Sequence, residues 1–143
     1  MIYVVPFEAQ HFAQMEVQEA QKWLTVAATV EDMKALEGPY SSTLMQDGRP
    51  LACAGAIEYW KNRALVWSFL SADVDRRVFP LVHTEAKRFL DGLPMRRLEA
   101  SVLVGFESGH RWMKALGFEV EAPLQRHFQA DGQDCVGYVR IRD

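Results

Sequence analysis

The densest group of side chains able to handle a charged ligand is Ser71-Ala72-Asp73-Val74-Asp75-Arg76-Arg77-Val78-Phe79-Pro80. Guanidinium groups bind phosphate or carboxylate through paired, charge-assisted hydrogen bonds, so Arg76 and Arg77 are candidates to hold an anion. The same stretch argues against a backbone cradle. It has no glycine to let the chain close around a ligand, Asp73 and Asp75 repel an anion, and Pro80 has no N–H to offer. The competing reading is a capped helix start, with Asp75 near the N-terminus and both arginines in solvent. Ser101 and His110 are the remaining residues with nucleophilic or acid–base chemistry. An imidazole titrates near neutral pH, but a single histidine beside Arg111 on a helix is more often a surface or partly buried residue. His11, His83 and His127 share no ligand spacing, and no Ser/His/Asp or Cys/His set is legible, so no metal site is expected. Glu99 reads as a solvated strand residue. Cys53 sits in an apolar, strand-like run and reads as a buried thiol, far in sequence from Cys135. Trp60, Trp67 and Trp112 read as core or rim packing rather than a substrate cage.

The chain that must position these residues has 143 of them, 49% hydrophobic and 24% charged, which is the composition of one globular domain over residues 1–143. Its formal net charge is −3, and its basic doublets Arg76-Arg77 and Arg96-Arg97 are isolated, so nucleic acid is not an expected partner. The apolar runs Ala52–Ile57 and Ala64–Leu70 are far too short to cross a bilayer, and no membrane partner is expected. The N-terminus lacks the charged-then-apolar pattern of a signal peptide, and a cytoplasmic location is the expectation.

Ile2–Val5 reads as a first strand closed by Pro6. A helix is expected from Phe7 to about Ala28, with Phe12, Met15 and Trp23 inward. Thr29, with Val30, Glu31 and Asp32 after it, resembles a capping box opening a short helix through Leu36. Ser42–Gln46 and Leu51–Trp60 flank Asp47-Gly48, a strong signal for a tight hairpin. Lys61-Asn62-Arg63 makes another turn, and Ala64–Leu70 is apolar enough to be a central strand covered on both faces. Val78, Val82, Ala86, Phe89 and Leu90 recur at helical spacing, Leu98–Val104 is the next strand, and a helix from Phe106 to Leu116 places Gly109, Trp112, Met113 and Leu116 on one face, with Trp112 and Leu116 expected to be buried against the sheet. Gly117 supplies its C-terminal cap. Arg126–Gln129 and Cys135–Arg140 are expected to pair as a last hairpin. The fold class is thus α/β with a mixed sheet: an antiparallel meander joined to a parallel β-α-β unit, then a helix and a hairpin.

This order resembles the GNAT acyl-CoA N-acyltransferases over essentially the whole chain. The most specific local match is Arg111-Trp112-Met113-Lys114-Ala115-Leu116-Gly117-Phe118-Glu119, which is similar to that family's helix ending in a Leu-Gly-Phe turn. The hairpin Asp47-Gly48-Arg49-Pro50-Leu51-Ala52, with Gly55 after it, resembles its second and third strands. Ser41-Ser42, Asp47-Gly48, Trp67 and the Arg-Trp to Gly-Phe segment are similar to a phage-encoded GNAT-like group that includes internal virion proteins of T7-like phages. The resemblance implies acetyl-CoA or CoA as cofactor, bound between Phe69–Ser71 and Val104–Phe106. Phe69, Leu70, Ser71 and Phe106 would line it, with its phosphates near Arg76 and Arg77. It implies an amine acceptor, small molecule or protein, if the chain is an enzyme. For the phage-like group it implies a phage or host protein as partner, and a virion-associated location. The function this resemblance implies first is an acyl-CoA-dependent N-acyltransferase with a degenerate CoA-binding loop; the alternative is a catalytically inactive GNAT-like phage or prophage protein acting in virion assembly or host-protein interaction. The glycine-free loop weakens the first reading, and Met113, where the family often has a tyrosine general acid, removes the tyrosine-dependent route, since a thioether cannot deliver a proton.

Overall fold

The computed structural model describes residues 1–22 and 29–143. Seven strands among them form one mixed sheet in the order β1-β2-β3-β4-β5-β7-β6. β1 (Ile2–Pro6) pairs antiparallel with β2 (Ser41–Gln46), and β2 with β3 (Arg49–Trp60). β4 (Arg63–Leu70) lies fourth of the seven, as its apolar run requires, and is parallel to β5 (Arg97–Leu103) from Arg63↔Arg97 to Leu65↔Glu99. β5 pairs antiparallel with β7 (Cys135–Ile141), whose other side carries β6 (Glu119–Gln125). The α/β class, with an antiparallel part and a parallel β-α-β unit, is therefore present as expected.

The turns behave as their residues dictate. Asp47 and Gly48 take φ of 49° and 80°, the left-handed pair that a two-residue hairpin demands. Thr29 caps α2 (Val30–Met33): its hydroxyl accepts from the Asp32 N–H while Asp32 accepts from the Thr29 N–H. α3 (Phe79–Asp91) carries Pro80 in its first turn, where a missing N–H costs nothing. α4 (Glu107–Ala115) ends with Gly117 at φ 95°, Gly117 N–H donating to Lys114 O and Phe118 N–H to Met113 O. That pair of bonds closes the helix end in the left-handed form only glycine takes freely.

The described chain divides into two compact units, Met1–Ile57 with Trp67–Leu93, and Glu58–Val66 with Pro94–Asp143. The first is built on Phe7, Phe12, Met15, Val17, Met33, Cys53 and Phe69, with the Trp67 ring edge-on to Phe7 at 5.0 Å. In the second, Leu98, Leu116, Phe118, Tyr138 and Val139 are buried.

Three expectations need correction. Of the helix expected from Phe7 to about Ala28, the described residues form only α1 (Ala9–Ala13); residues 16–18 are extended, and a 3-10 turn follows at Glu19–Gln21, while residues 23–28 lie outside the described residues. Met15 and Val17, both buried, are two apart, a strand-like spacing that helical reading of an Ala/Gln/Glu-rich segment overlooks. Trp23 lies outside the described residues. The last hairpin uses Glu119–Gln125 rather than Arg126–Gln129, which is a turn with His127 at φ 51°. Glu-Val-Glu-Ala alternates with period two, and Pro123 is tolerated because β6 is an edge strand. Finally, Leu116 is 3% exposed as expected, but Trp112 is only half-buried.

Candidate functional site

The turn before α3 closes on Asp75, while Val78 at the helix N-cap itself forms no side-chain cap. The Asp75 carboxylate accepts from the Arg77 N–H at 2.9 Å and the Val78 N–H at 3.1 Å, and the Asp75 carbonyl accepts from the Phe79 N–H at 2.9 Å. Just upstream, the Ser71 hydroxyl accepts from the Asp73 N–H at 3.0 Å and the Ser71 carbonyl from the Val74 N–H at 3.1 Å. The amides of Asp73, Val74, Arg77, Val78 and Phe79 are thus held within the chain. Arg76 and Arg77 are exposed, and neither forms an ion pair among the described residues.

Phe69, Leu70 and Ser71 belong to the same unit and are all buried. Only their backbone could meet a ligand, and it is engaged: Ser71 N–H donates to Leu51 O, and Leu70 N–H to the Gln21 carboxamide oxygen.

The remaining candidates lie in the second unit. Phe106 precedes α4 without a side-chain cap, its ring so close to Gly109 that a Cβ there would sit 2.6 Å from it. His110 Nε2 is 2.8 Å from Leu103 O and 3.0 Å from Val104 O. Carbonyls only accept, so Nε2 carries the proton, and Nδ1 accepts from the Tyr138 hydroxyl at 2.7 Å. Tyr138 is 3% exposed, and burial raises its phenol pKa. With both nitrogens used, His110 locks the end of β5 to α4 and β7 rather than serving as a free base. The Ser101 hydroxyl donates to the Gln125 carboxamide at 2.9 Å, whose side chain lies over Gly137. Among the described residues no base is hydrogen-bonded to Ser101 to activate it.

Glu99, read from sequence as solvated, takes hydrogen bonds from both Arg63 and Arg97, and Arg97 reaches on to Glu121. The bond from Arg63 is the largest influence holding the Glu99 carboxyl below its ordinary range. Arg63 also lies over the Tyr59 and Trp60 rings at 4.8 and 4.7 Å. This is an ion-pair cluster at a hairpin, without a nucleophile. Cys53 is fully buried beside the Thr43 hydroxyl, and burial pushes its thiol up to about 11, which makes it inert. No cluster with metal-binding character occurs among the described residues. Sequence reading missed Gln21, Gln125 and Tyr138, because their partners lie far away in the chain. Gly137 inside an apolar strand was the one local sign that a side chain crosses there.

No protein-family model matches this sequence, and no curated protein does. Solved structures match over nearly its whole length. Ard1 from Thermoplasma volcanium superimposes with a TM-score of 0.71 at 15% identity, covering 98% of this chain and 97% of that one. A GNAT family acetyltransferase from Bacillus cereus gives 0.70 at 11% identity, covering 100% and 99%. The ribosomal-protein-S18-alanine N-acetyltransferase from Escherichia coli gives 0.68 at 15%, covering 99% and 94%. The chain has the GNAT fold.

The GNAT resemblance implies an acyl-CoA, and the donor set at the start of α3 does not fit one. Asp75 holds the amides of Arg77 and Val78, and Asp73 adds a second carboxylate of a diphosphate's own sign.

Proposed function

We propose that this GNAT-fold chain works as a binding domain and does not transfer an acyl group from CoA seated at the start of α3. The observation that supports this reading is the Asp75 carboxylate on the amides of Arg77 and Val78. A helix start favours one anion at its unpaired N–H groups, and here the chain supplies that anion itself. Met113 in place of a proton donor, and the engagement of His110 and Ser101, point the same way. The partner class is a protein of a phage particle or its host, on the resemblance carried by Ser41-Ser42, Asp47-Gly48, Trp67 and the Arg111 to Phe118 segment. Isothermal titration with acetyl-CoA and with CoA tests the reading. No saturable heat is expected up to about 1 mM ligand, and a Kd near or below about 10 µM would overturn it.

A second reading is favoured by the exposed Arg76 and Arg77, which have no carboxylate partner among the described residues. On it the chain is an acyl-CoA-dependent N-acyltransferase acting on an amine, with side-chain cations replacing the missing glycine loop. Replacing Arg76 and Arg77 with alanine would then weaken CoA binding roughly tenfold or more per lost charge-assisted contact. On the first reading the double variant leaves the titration flat, as before.

A further inference from the structure

The two edges of the sheet are guarded unequally. β6 slips register twice along β7, has Pro123 within it and exposes Glu119 and Glu121. Each of these features discourages a further strand from pairing there. β1 lacks the charges and the slips, and its proline, Pro6, is its last residue. Its five residues, Ile2-Tyr3-Val4-Val5-Pro6, pair with β2 in unbroken register from Ile2↔Gln46 to Pro6↔Ser42. β2 is its one strand neighbour among the described residues, and Ile2, Tyr3 and Val4 are exposed.

Backbone phase decides which groups this edge presents. Asp47 N–H donates to Met1 O at 3.0 Å, so Met1 faces β2. Successive residues of an antiparallel strand alternate between its two sides, so Tyr3 and Val5 also face β2, while Ile2, Val4 and Pro6 face outward. Pro6 thus sits where its missing N–H breaks no bond to β2. Ile2 and Val4 each present an N–H and a C=O to the outside.

These groups complement a copy of themselves. With a second β1 laid antiparallel about a two-fold axis at Tyr3, Ile2 exchanges both bonds with Val4 of the copy, and Val4 with Ile2. Every outward N–H then has an acceptor. An axis at Val4 would set Ile2 against Pro6, which has no N–H to return. In the Tyr3 register the facing side chains are Ile2 with Val4, Met1 with Val5, and Tyr3 with Tyr3. The tyrosines meet at a position without hydrogen bonds, where Cα atoms approach to about 4.5 Å. All are apolar or aromatic pairs of the kind that stabilise a ladder, and no charge is set against a like charge. The edges left outside are then both β6, so the assembly closes at two chains.

We propose that this protein forms a homodimer by antiparallel pairing of β1 with β1 of a second copy, centred on Tyr3. Neither Asp75 nor the two arginines take part, so the inference stands apart from the reading of that site. Sedimentation equilibrium from about 1 µM to about 1 mM chain, with amide hydrogen exchange of Val4 at both ends of that range, tests it. A reversible monomer–dimer equilibrium is expected, with the Val4 amide exchanging roughly tenfold more slowly where the dimer prevails. Val4→Pro removes an outward N–H and leaves the bonds to β2, whereas Tyr3→Lys sets two ammonium groups face to face. Each should weaken association roughly tenfold or more. Mixing Tyr3→Lys with Tyr3→Glu should restore the dimer, a rescue that a merely misfolded variant would not give. A protein monomeric throughout the range overturns the proposal, as does a dimer equally tight in Val4→Pro and Tyr3→Lys. Growth beyond two chains, or a mixture of folded lysine and glutamate variants that stays monomeric, overturns it as well.

Discussion

α3 and α4 each begin just after one strand of the parallel pair, the position at which α/β folds usually receive ligands. Their starts are built differently. Before α3, Asp75 satisfies Arg77 and Val78 with a carboxylate, and the closure is electrostatic. Before α4, Phe106 contributes no polar cap. Its ring packs on Gly109, and His110 reaches back to the carbonyls of Leu103 and Val104. Before α3 a carboxylate of the chain holds two amides, and before α4 a ring and an imidazole reach back to the strand end. The lesson is that topological position alone does not make a ligand site; what matters is whether the converging donors are still free.

That contrast predicts where substitutions hurt. The largest effect belongs to the α4 side, where closure depends on packing. Leu116→Ala should lose about 2–5 kcal/mol in urea denaturation, and a loss under about 1 kcal/mol would show that packing does not hold this helix. Tyr138→Phe leaves His110 Nδ1 without its donor, and about 1–3 kcal/mol is expected from the same measurement. No change would mean that the imidazole finds another partner at no cost. At the α3 side, Asp75→Ala should cost about 1 kcal/mol yet free the Arg77 and Val78 amides. Weak sulfate or diphosphate binding should then appear in a thermal-shift titration, and a variant as indifferent to both anions as the unmodified chain would break the comparison. The smallest effect is in acid. Glu99 has a depressed pKa in the folded state, so its contribution is present above the ordinary value of 4.5 and is lost as pH falls through the lower folded value. Below pH 4.5, stability should therefore decline less steeply in Glu99→Gln than in the unmodified chain; identical acid limbs would remove Glu99 from the account.

Much of this architecture was legible because local chemistry and tertiary role agree. Asp47-Gly48 specifies its turn, Thr29 with Asp32 its cap, and Leu-Gly-Phe its helix end, each through backbone requirements that few residues meet. The segment from Met15 to Gln21 was misread because Ala, Gln and Glu favour helix on average, whereas burial of Met15 and Val17 and pairing with β4 decide the outcome. At the candidate site, sequence showed that the loop was poor for phosphate and offered the capped start as an alternative. It could not show Gln21 on β4, Gln125 on Ser101 or Tyr138 on His110, since those contacts join segments at least 24 residues apart. Trp112 was overestimated for a similar reason: helical spacing names a face, but not how deeply each position on it is covered.

The central claim is that the chain's own carboxylate occupies the amides at the start of α3. Nitrogen-15 chemical shifts of Arg77 and Val78 during an acetyl-CoA titration test it most directly. The account predicts that both signals of the unmodified protein stay where they are up to about 1 mM ligand. A saturable shift of both at neutral pH, with a Kd in the micromolar range, would mean that the phosphates displace Asp75, and would contradict it.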